Sequence, residues 1–234
     1  MSRVPLLDVE PDLGAQLCPE ELRDAQSYCV VSVVGLARGK RVARLAAAGD
    51  GGFLVVRGVL TRRLRVGDRS GSELLGRGDV IYATPGQAES AWRVEQTALL
   101  AVLDERFHRS AAAWPRLVMA LHERAVLRSH SLLLRLAIVE HPQIRRRVHL
   151  VLWHLADRWG STDEHGAFLP VKLSRVALAD LVCSTRESVS RALAELRRLG
   201  LVHERGSGFF LSFPYPAELE TQMRDRRHAQ NASP

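Results

Sequence analysis

The sequence predicts an α+β chain in three successive textures. An antiparallel sandwich or barrel of short strands comes first, then one long helix, then two short helices closed by a β-hairpin. Three observations carry this. From about Val30 to Val102, short apolar runs alternate with glycine-bearing turns. From Pro115 to Val139 the apolar spacing lengthens to that of a helix, without an interior proline or glycine. From Ser174 onward, two helical patterns separated by a short turn are followed by Gly200 and a strand–Gly–Ser–Gly–strand run.

Residues 1–28 read as a polar leader ending in a short helix, with Pro19 early and "EELRDA" after it. The core strands of the barrel are expected to include Phe53–Val56, Leu74–Leu75, Val80–Tyr82 and Leu99–Val102, with turns at Gly49-Asp50-Gly51-Gly52 and Gly67-Asp68. The long helix opens beside a proline, tolerated in a first turn, and stops before Pro142. At 1.5 Å per residue, ~25 residues would span about 37 Å. It carries two apolar stripes. Val118, Leu121, Ala125, Leu132 and Val139 follow a seven-residue spacing broken by Arg128 and Arg135; Met119, Val126, Leu133 and Leu136 form the second. Two stripes need two surfaces, the barrel and a partner helix, the alternative being a core helix buried wholly within its own chain. Val118, Leu121, Ala125 and Leu132 are the candidate dimer residues. A further helix is expected over Gln143–Arg158, and "GSTDEHGAFLPVK" reads as a turn with a short strand. The expected division is 1–28, 29–110, 111–140 and 141–234, with the break near Glu140–Pro142.

In the carboxy-terminal part, Ser174–Val182 is read as a helix with Leu178, Ala179, Leu181 and Val182 inward. Cys183-Ser184 makes a turn. Ser184 and Glu187 fit an S-x-x-E capping box, so the second helix is expected to start at Thr185. Val189, Ala192, Leu193 and Leu196 share its buried face, and Gly200 stands where a helix end wants a left-handed residue. The opposite face carries Glu187, Arg191, Ala194 and Arg198, flanked by Arg186 and Ser190. Arginine grips guanine O6 and N7 in bidentate fashion, and glutamate accepts from cytosine N4. A helix entering the major groove reads bases with the side chains near its N-terminus. The charged side chains near the start of this helix are therefore candidates to read bases, and Glu187 makes sense placed toward bases or bracing an arginine, since phosphates would repel it. "LVHERGSGFFLSF" supplies a hairpin wing, and Lys172, Ser184, Arg205 and Ser207 are candidate phosphate contacts.

Composition agrees without deciding. With 46% hydrophobic and 25% charged residues the chain is of globular type, and no apolar run approaches the ~18 residues of a membrane span. The net charge of +7 favours polyanionic partners, nucleic acid before membrane. It is almost wholly arginine, since Lys40 and Lys172 are the only lysines. The three cysteines form no C-x-x-C pair, and the opening residues lack a signal-peptide stretch, so a cytoplasmic location is expected. No catalytic or metal-ligand motif is present, and none of the nine histidines falls within 30–107, where a barrel-type metal enzyme would need them.

The segment "LSRVALADLVCSTRESVSRALAELRRLGLV" resembles the winged helix of the CRP/FNR family of bacterial transcription regulators, and "GFLVVRGVLTRRLRVGDRSGSELLGRGDVIY" is similar to that family's strand–Gly–strand run ending in Gly-Asp. The resemblance implies an N-terminal antiparallel β-roll of cyclic-nucleotide-binding type, a long dimerisation helix and a C-terminal winged helix-turn-helix. It places base contacts on Arg186, Glu187 and Arg191, with Thr185 where the family commonly has Ser and Cys183 near its turn glycine. It further implies a homodimer on a pseudo-palindromic double-stranded DNA site, with RNA polymerase as a further partner.

The departures concern the effector. In cyclic-AMP-binding members Gly-Asp is soon followed by Gly-Glu, then by Arg-Ser. Here Gly78-Asp79-Val80-Ile81 runs into Tyr82-Ala83, and Glu89-Ser90 stands at the Arg-Ser position, with Arg93 the nearby cation. A carboxylate there repels a cyclic phosphate, so the usual cyclic-AMP route is disfavoured and no cofactor is assigned. An effector-independent scaffold remains an alternative, as does haem held by His122 or His130 or another small ligand.

Overall fold

The computed structural model describes residues 2–42, 51–82 and 90–220 of the 234. Gly49, Asp50, Ala83 and Glu89 lie outside them. The chain divides into two compact units, Met1–Leu134 and Arg135–Pro234.

The first unit is built on one antiparallel sheet. Its strands are β1 (Ser2–Pro5), β2 (Val30–Leu36), β3 (Arg41–Val42), β4 (Gly52–Val66), β5 (Arg69–Leu75), β6 (Val80–Tyr82) and β7 (Ser90–Val102). Their order is β1-β2-β7-β4-β5, with β3 also on β7 and β6 also on β4. All the expected core strands are present, most as parts of longer ones. Because neighbouring side chains on a strand face opposite ways, β4 feeds two cores at once. Phe53 and Val55 pack with Leu36, Leu75, Trp92 and Leu100, while Leu54 and Val56 pack with Val31, Val80, Ala101 and Leu103. Irregular pairing between β4 and β7 near Gly58 lets the long strand bend. Gly58 has a φ of +85°, and a Cβ there would lie 2.3 Å from the Thr97 carbonyl oxygen, so only glycine fits.

Helices α1 (Leu6–Val9), α2 (Pro19–Tyr28), α3 (Glu105–Ala111) and the start of α4 (Pro115–Val139) cover the second of these cores. The leader was expected to be polar, yet β1 pairs with β2, and Leu6, Leu7, Leu13 and Ala25 are buried with the sheet. The apolar pair Leu6-Leu7 and the single Leu13 are too brief to show a period.

Helix α4 has the expected bounds. The two arginines that interrupt its apolar spacing have structural work. Arg128 makes a bidentate ion pair with Glu73 of β5, at 2.5 and 2.7 Å, with both side chains largely buried. Arg62 lies nearby, 5.5 Å from the Trp92 ring centre. Burial lowers the Arg62 guanidinium pKa, and Glu73 opposes that shift.

The second unit contains α5 (Ile144–Trp159), β8 (Ser161–Thr162), β9 (Gly166–Leu169), α6 (Arg175–Leu181), α7 (Arg186–Arg198), β10 (Val202–Arg205) and β11 (Gly208–Ser212). Its sheet runs β10-β11-β9-β8. Every residue of α5 from Val148 to Ala156 is buried, including His149 and His154. Trp153 donates its indole N–H to His149 Nε2 at 3.0 Å, which fixes that nitrogen as an acceptor. Burial, aided by Arg146, pushes the imidazole down to about 4.

Two outcomes follow. Glu73→Ala strands Arg128 in a largely buried place and lowers unfolding free energy by about 3 kcal/mol in urea titration, whereas Glu73→Leu with Arg128→Met costs clearly less. His149 is neutral in the fold and takes up a proton first when unfolded. Stability should therefore fall by about 3 kcal/mol between pH ~6.5 and ~4. His149→Gln, which keeps an acceptor for Trp153, flattens that slope in pH-dependent denaturation.

Candidate nucleic-acid interface

Helices α6 and α7 form a helix-turn-helix whose joints are all hydrogen-bonded. Ser174 caps α6 by accepting from the Ala177 N–H at 3.1 Å. At its other end, Arg135 and Arg147 donate to the carbonyls of Leu181 and Val182, both at 3.3 Å. Arg135, read from sequence as a break in a stripe, is thus a C-terminal cap for a neighbouring helix. Such a partnership between residues 46 positions apart leaves no local signal. The turn reverses through Cys183, which has a φ of +51°. This left-handed conformation is what glycine supplies most readily, which explains why a turn glycine is natural at the spot.

The capping box expected of Ser184 and Glu187 is not formed. Thr185 is the cap, accepting from the Ser188 N–H at 3.2 Å, and α7 begins at Arg186, one residue later than expected. The Thr185 hydroxyl also donates to Ser188 Oγ at 3.0 Å, and the Ser184 N–H donates to the Ala179 carbonyl at 2.9 Å. Two capping hydroxyls stood side by side in the sequence, and the extra turn residue decided between them. Glu187 lies in the first turn, where an acid suits the positive end of the helix dipole.

Val189, Ala192, Leu193 and Leu196 are buried as expected, and α7 packs on α5 and α6. The far end closes in a Schellman motif. Gly200, at φ +71°, donates to Arg197, and Leu201 donates to Leu196. The opposite face is exposed. Among the described residues, the side chains of Arg186, Glu187, Arg191 and Arg198 form no hydrogen bond or ion pair, while Ser190 Oγ donates back to the Arg186 carbonyl at 2.9 Å. By contrast, Glu195 pairs with Arg145 of α5.

The wing is the β10–β11 hairpin. Arg205 pairs with Gly208 across a two-residue turn of Gly206, at φ +53°, and Ser207. The Arg205 guanidinium lies 4.3 Å from the Phe210 ring centre, a cation–π stack that holds it at the hairpin tip. Lys172 is exposed in the segment between β9 and α6. One helix thus gathers Thr185, Arg186, Glu187, Ser190 and Arg191, and Lys172, Arg205 and Ser207 stand exposed on adjoining segments of the same unit.

Other sequence candidates lie in the first unit or on α4. Leu121 is only 1% exposed, in the sheet core, and Ala125 packs against that core. Leu132 is half-buried and Val118 is 38% exposed. The second stripe is the open one: Met119, Val126, Leu133 and Leu136 are each at least half exposed. His122 and His130 are exposed on the same helix. No helix among the described residues is long and apolar enough to cross a membrane.

Residues 146–221 match the family model of the Crp-like helix-turn-helix domain. Among solved structures, a cyclic nucleotide-binding domain containing protein from Listeria monocytogenes superposes with a TM-score of 0.64 at 18% identity, over 87% of this chain and 97% of its own. A CooA mutant from Carboxydothermus hydrogenoformans gives 0.63 at 16% identity, over 93% and 94%. A CRP/FNR family transcriptional regulator from Thermus thermophilus gives 0.56 at 15%, over 83% and 98%. No curated protein matches the sequence. The carboxy-terminal segment is a Crp-like helix-turn-helix domain, and the chain that bears it has the fold of the CRP/FNR transcription regulators.

Proposed function

We propose that this protein is a sequence-specific DNA-binding transcription regulator that acts as a homodimer. The observation that carries the reading is the outward face of α7, where Arg186, Glu187 and Arg191 stand without partners on a helix anchored by its other side. Charged groups left unneutralised on a rigid helix are poised to bond base edges, and they lose no internal partner in doing so. Lys172, Arg205 and Ser207 supply phosphate contacts that set register. Thr185 and Ser190, whose hydroxyls are engaged with α7 itself, act chiefly by shaping its first turns, and Ser184 offers a hydroxyl at the turn.

The dimer rests on α4. Met119, Val126 and Leu133 recur every seven residues, with Leu136 three further on, and all four are exposed. That is the seam of a two-stranded coiled coil and too much apolar surface to leave in water. The seam therefore belongs to this second stripe, with Val118 and Leu132 at its margin, while Leu121 and Ala125 serve the chain's own core. Two copies would place two α7 helices in successive major grooves, about 34 Å apart on a pseudo-palindromic site. RNA polymerase is the partner through which such binding would change transcription, and the cytoplasm is where it would meet the DNA. The β-roll is the candidate sensor.

Selection of bound duplexes from random DNA at fixed salt tests the whole reading, because it should return a two-fold symmetric site. Arg191→Ala is expected to cost about 1–3 kcal/mol on that site and to relax preference at one base pair per half-site. Equal weakening on random DNA would contradict the role. Leu133→Glu, with like charges facing across the seam, is expected to give monomers in sedimentation velocity at micromolar concentration and to weaken binding to the full site far more than to a half-site.

A further inference from the structure

Glu204 stands on β10, directly before the wing-tip Arg205, and joins three elements through one oxygen. Its Oε1 accepts from Arg175 at the start of α6, at 2.6 Å, and from Arg197 in the last turn of α7, at 2.7 Å. Both cations belong to the helix-turn-helix, and both are partly exposed, Arg197 by 53%. At 100° per residue Arg197 falls on the same edge of α7 as Arg186 and Ser190. Arg197 therefore continues the line of side chains from which DNA contact is proposed. It differs from Arg186 in being neutralised.

We infer that Glu204 is a specificity-determining internal counter-ion, which withholds Arg175 and Arg197 from DNA phosphates and fixes the wing against both helices. The inference rests on the DNA-binding reading above. Phosphate attraction carries no sequence information, and two freed arginines add most on random duplexes, where no base contacts fix the register and the side chains settle on any phosphate within reach. A regulator gains selectivity by limiting such contacts to those that set register. Glu204 does this with the acceptor chemistry that a phosphate would otherwise supply, two guanidinium groups on one anionic oxygen. Burial raises its pKa, but the hydrogen bonds and charges of Arg175 and Arg197 more than reverse this, so the carboxylate stays ionised near neutral pH. Its position also ties the wing: with Glu204 held by both helices, the adjoining Arg205 is presented at a set place relative to α7.

The test compares the full-length chain with E204Q on two duplexes of equal length, one selected by the wild type and one of random sequence, between 50 and 200 mM salt. E204Q is expected to bind random DNA about tenfold more tightly at the low end, and its slope of log affinity against log salt should steepen by roughly 1–2. The ratio of specific to random affinity should fall about tenfold. Adding R175Q and R197Q to E204Q should return the slope to the wild-type value. In a chain that keeps Glu204, R175Q/R197Q should leave the slope unchanged, and this arm does not depend on how well E204Q folds. An unchanged slope and ratio in E204Q, or parallel weakening on both duplexes, would overturn the inference. A reduced slope in R175Q/R197Q would do the same, since the arginines would then already reach phosphate. If the wild type itself prefers no duplex, the DNA-binding reading fails with it, whereas a selective wild type with indifferent variants defeats only the role of Glu204.

Discussion

The rotation of α7 about its own axis is the constraint on which the site depends. Burial of Val189, Ala192, Leu193 and Leu196 leaves the helix one orientation, and that orientation alone sends Glu187, Arg191 and Arg198 into solvent together. Burial of Val189, Leu193 and Leu196 contributes about 1.5–3 kcal/mol each, while the outward charges contribute little to folding. The DNA contacts proposed above therefore lie on the side of the helix that stability does not need. The ends are held as firmly as the face, by Thr185 at the start and by the Gly200 motif at the finish.

A second theme is how the chain disposes of its arginines. With net charge +7, arginine could have been spread as a uniform coat, yet its partners differ sharply by place. Arg128 is joined to Glu73 across α4 and β5, Arg135 and Arg147 close the end of α6, and Arg145 and Arg146 pair with Glu195 and Glu218. Arg175 and Arg197 share Glu204. Against these, Arg186 and Arg191 are left open to water. The planar fork of arginine serves both uses: it caps carbonyls and grips carboxylates inside the protein, and it can grip guanine outside.

Helix α4 shows the same division along one rod. Its Leu117 and Leu121 complete the core of the first unit, and Met119, Val126, Leu133 and Leu136 are left exposed. A helix with two apolar faces satisfies one by folding and leaves the other open, here the face proposed above for the dimer. Its length matches the sequence pattern because Pro115 and Pro142 bracket it, and prolines act locally.

What the sequence by itself determined is whatever local chemistry dictates. The strands of the roll, the bounds of α4, the inward face of α7, the glycine stop and the wing hairpin all follow from spacing, turn residues and proline positions within a few residues of each other. The resemblance to CRP/FNR regulators then named the helix that faces outward. Tertiary structure alone decided which of two adjacent hydroxyls caps α7, which stripe of α4 the sheet consumes, why Arg128 and Arg135 interrupt it, and that Glu204 gathers two cations. Leu121 and Val126 look alike in the sequence, and only the sheet packed over one of them makes them different. These outcomes depend on partners tens of residues away, and a local pattern holds no information about which distant group will arrive to desolvate a side chain or to accept its proton.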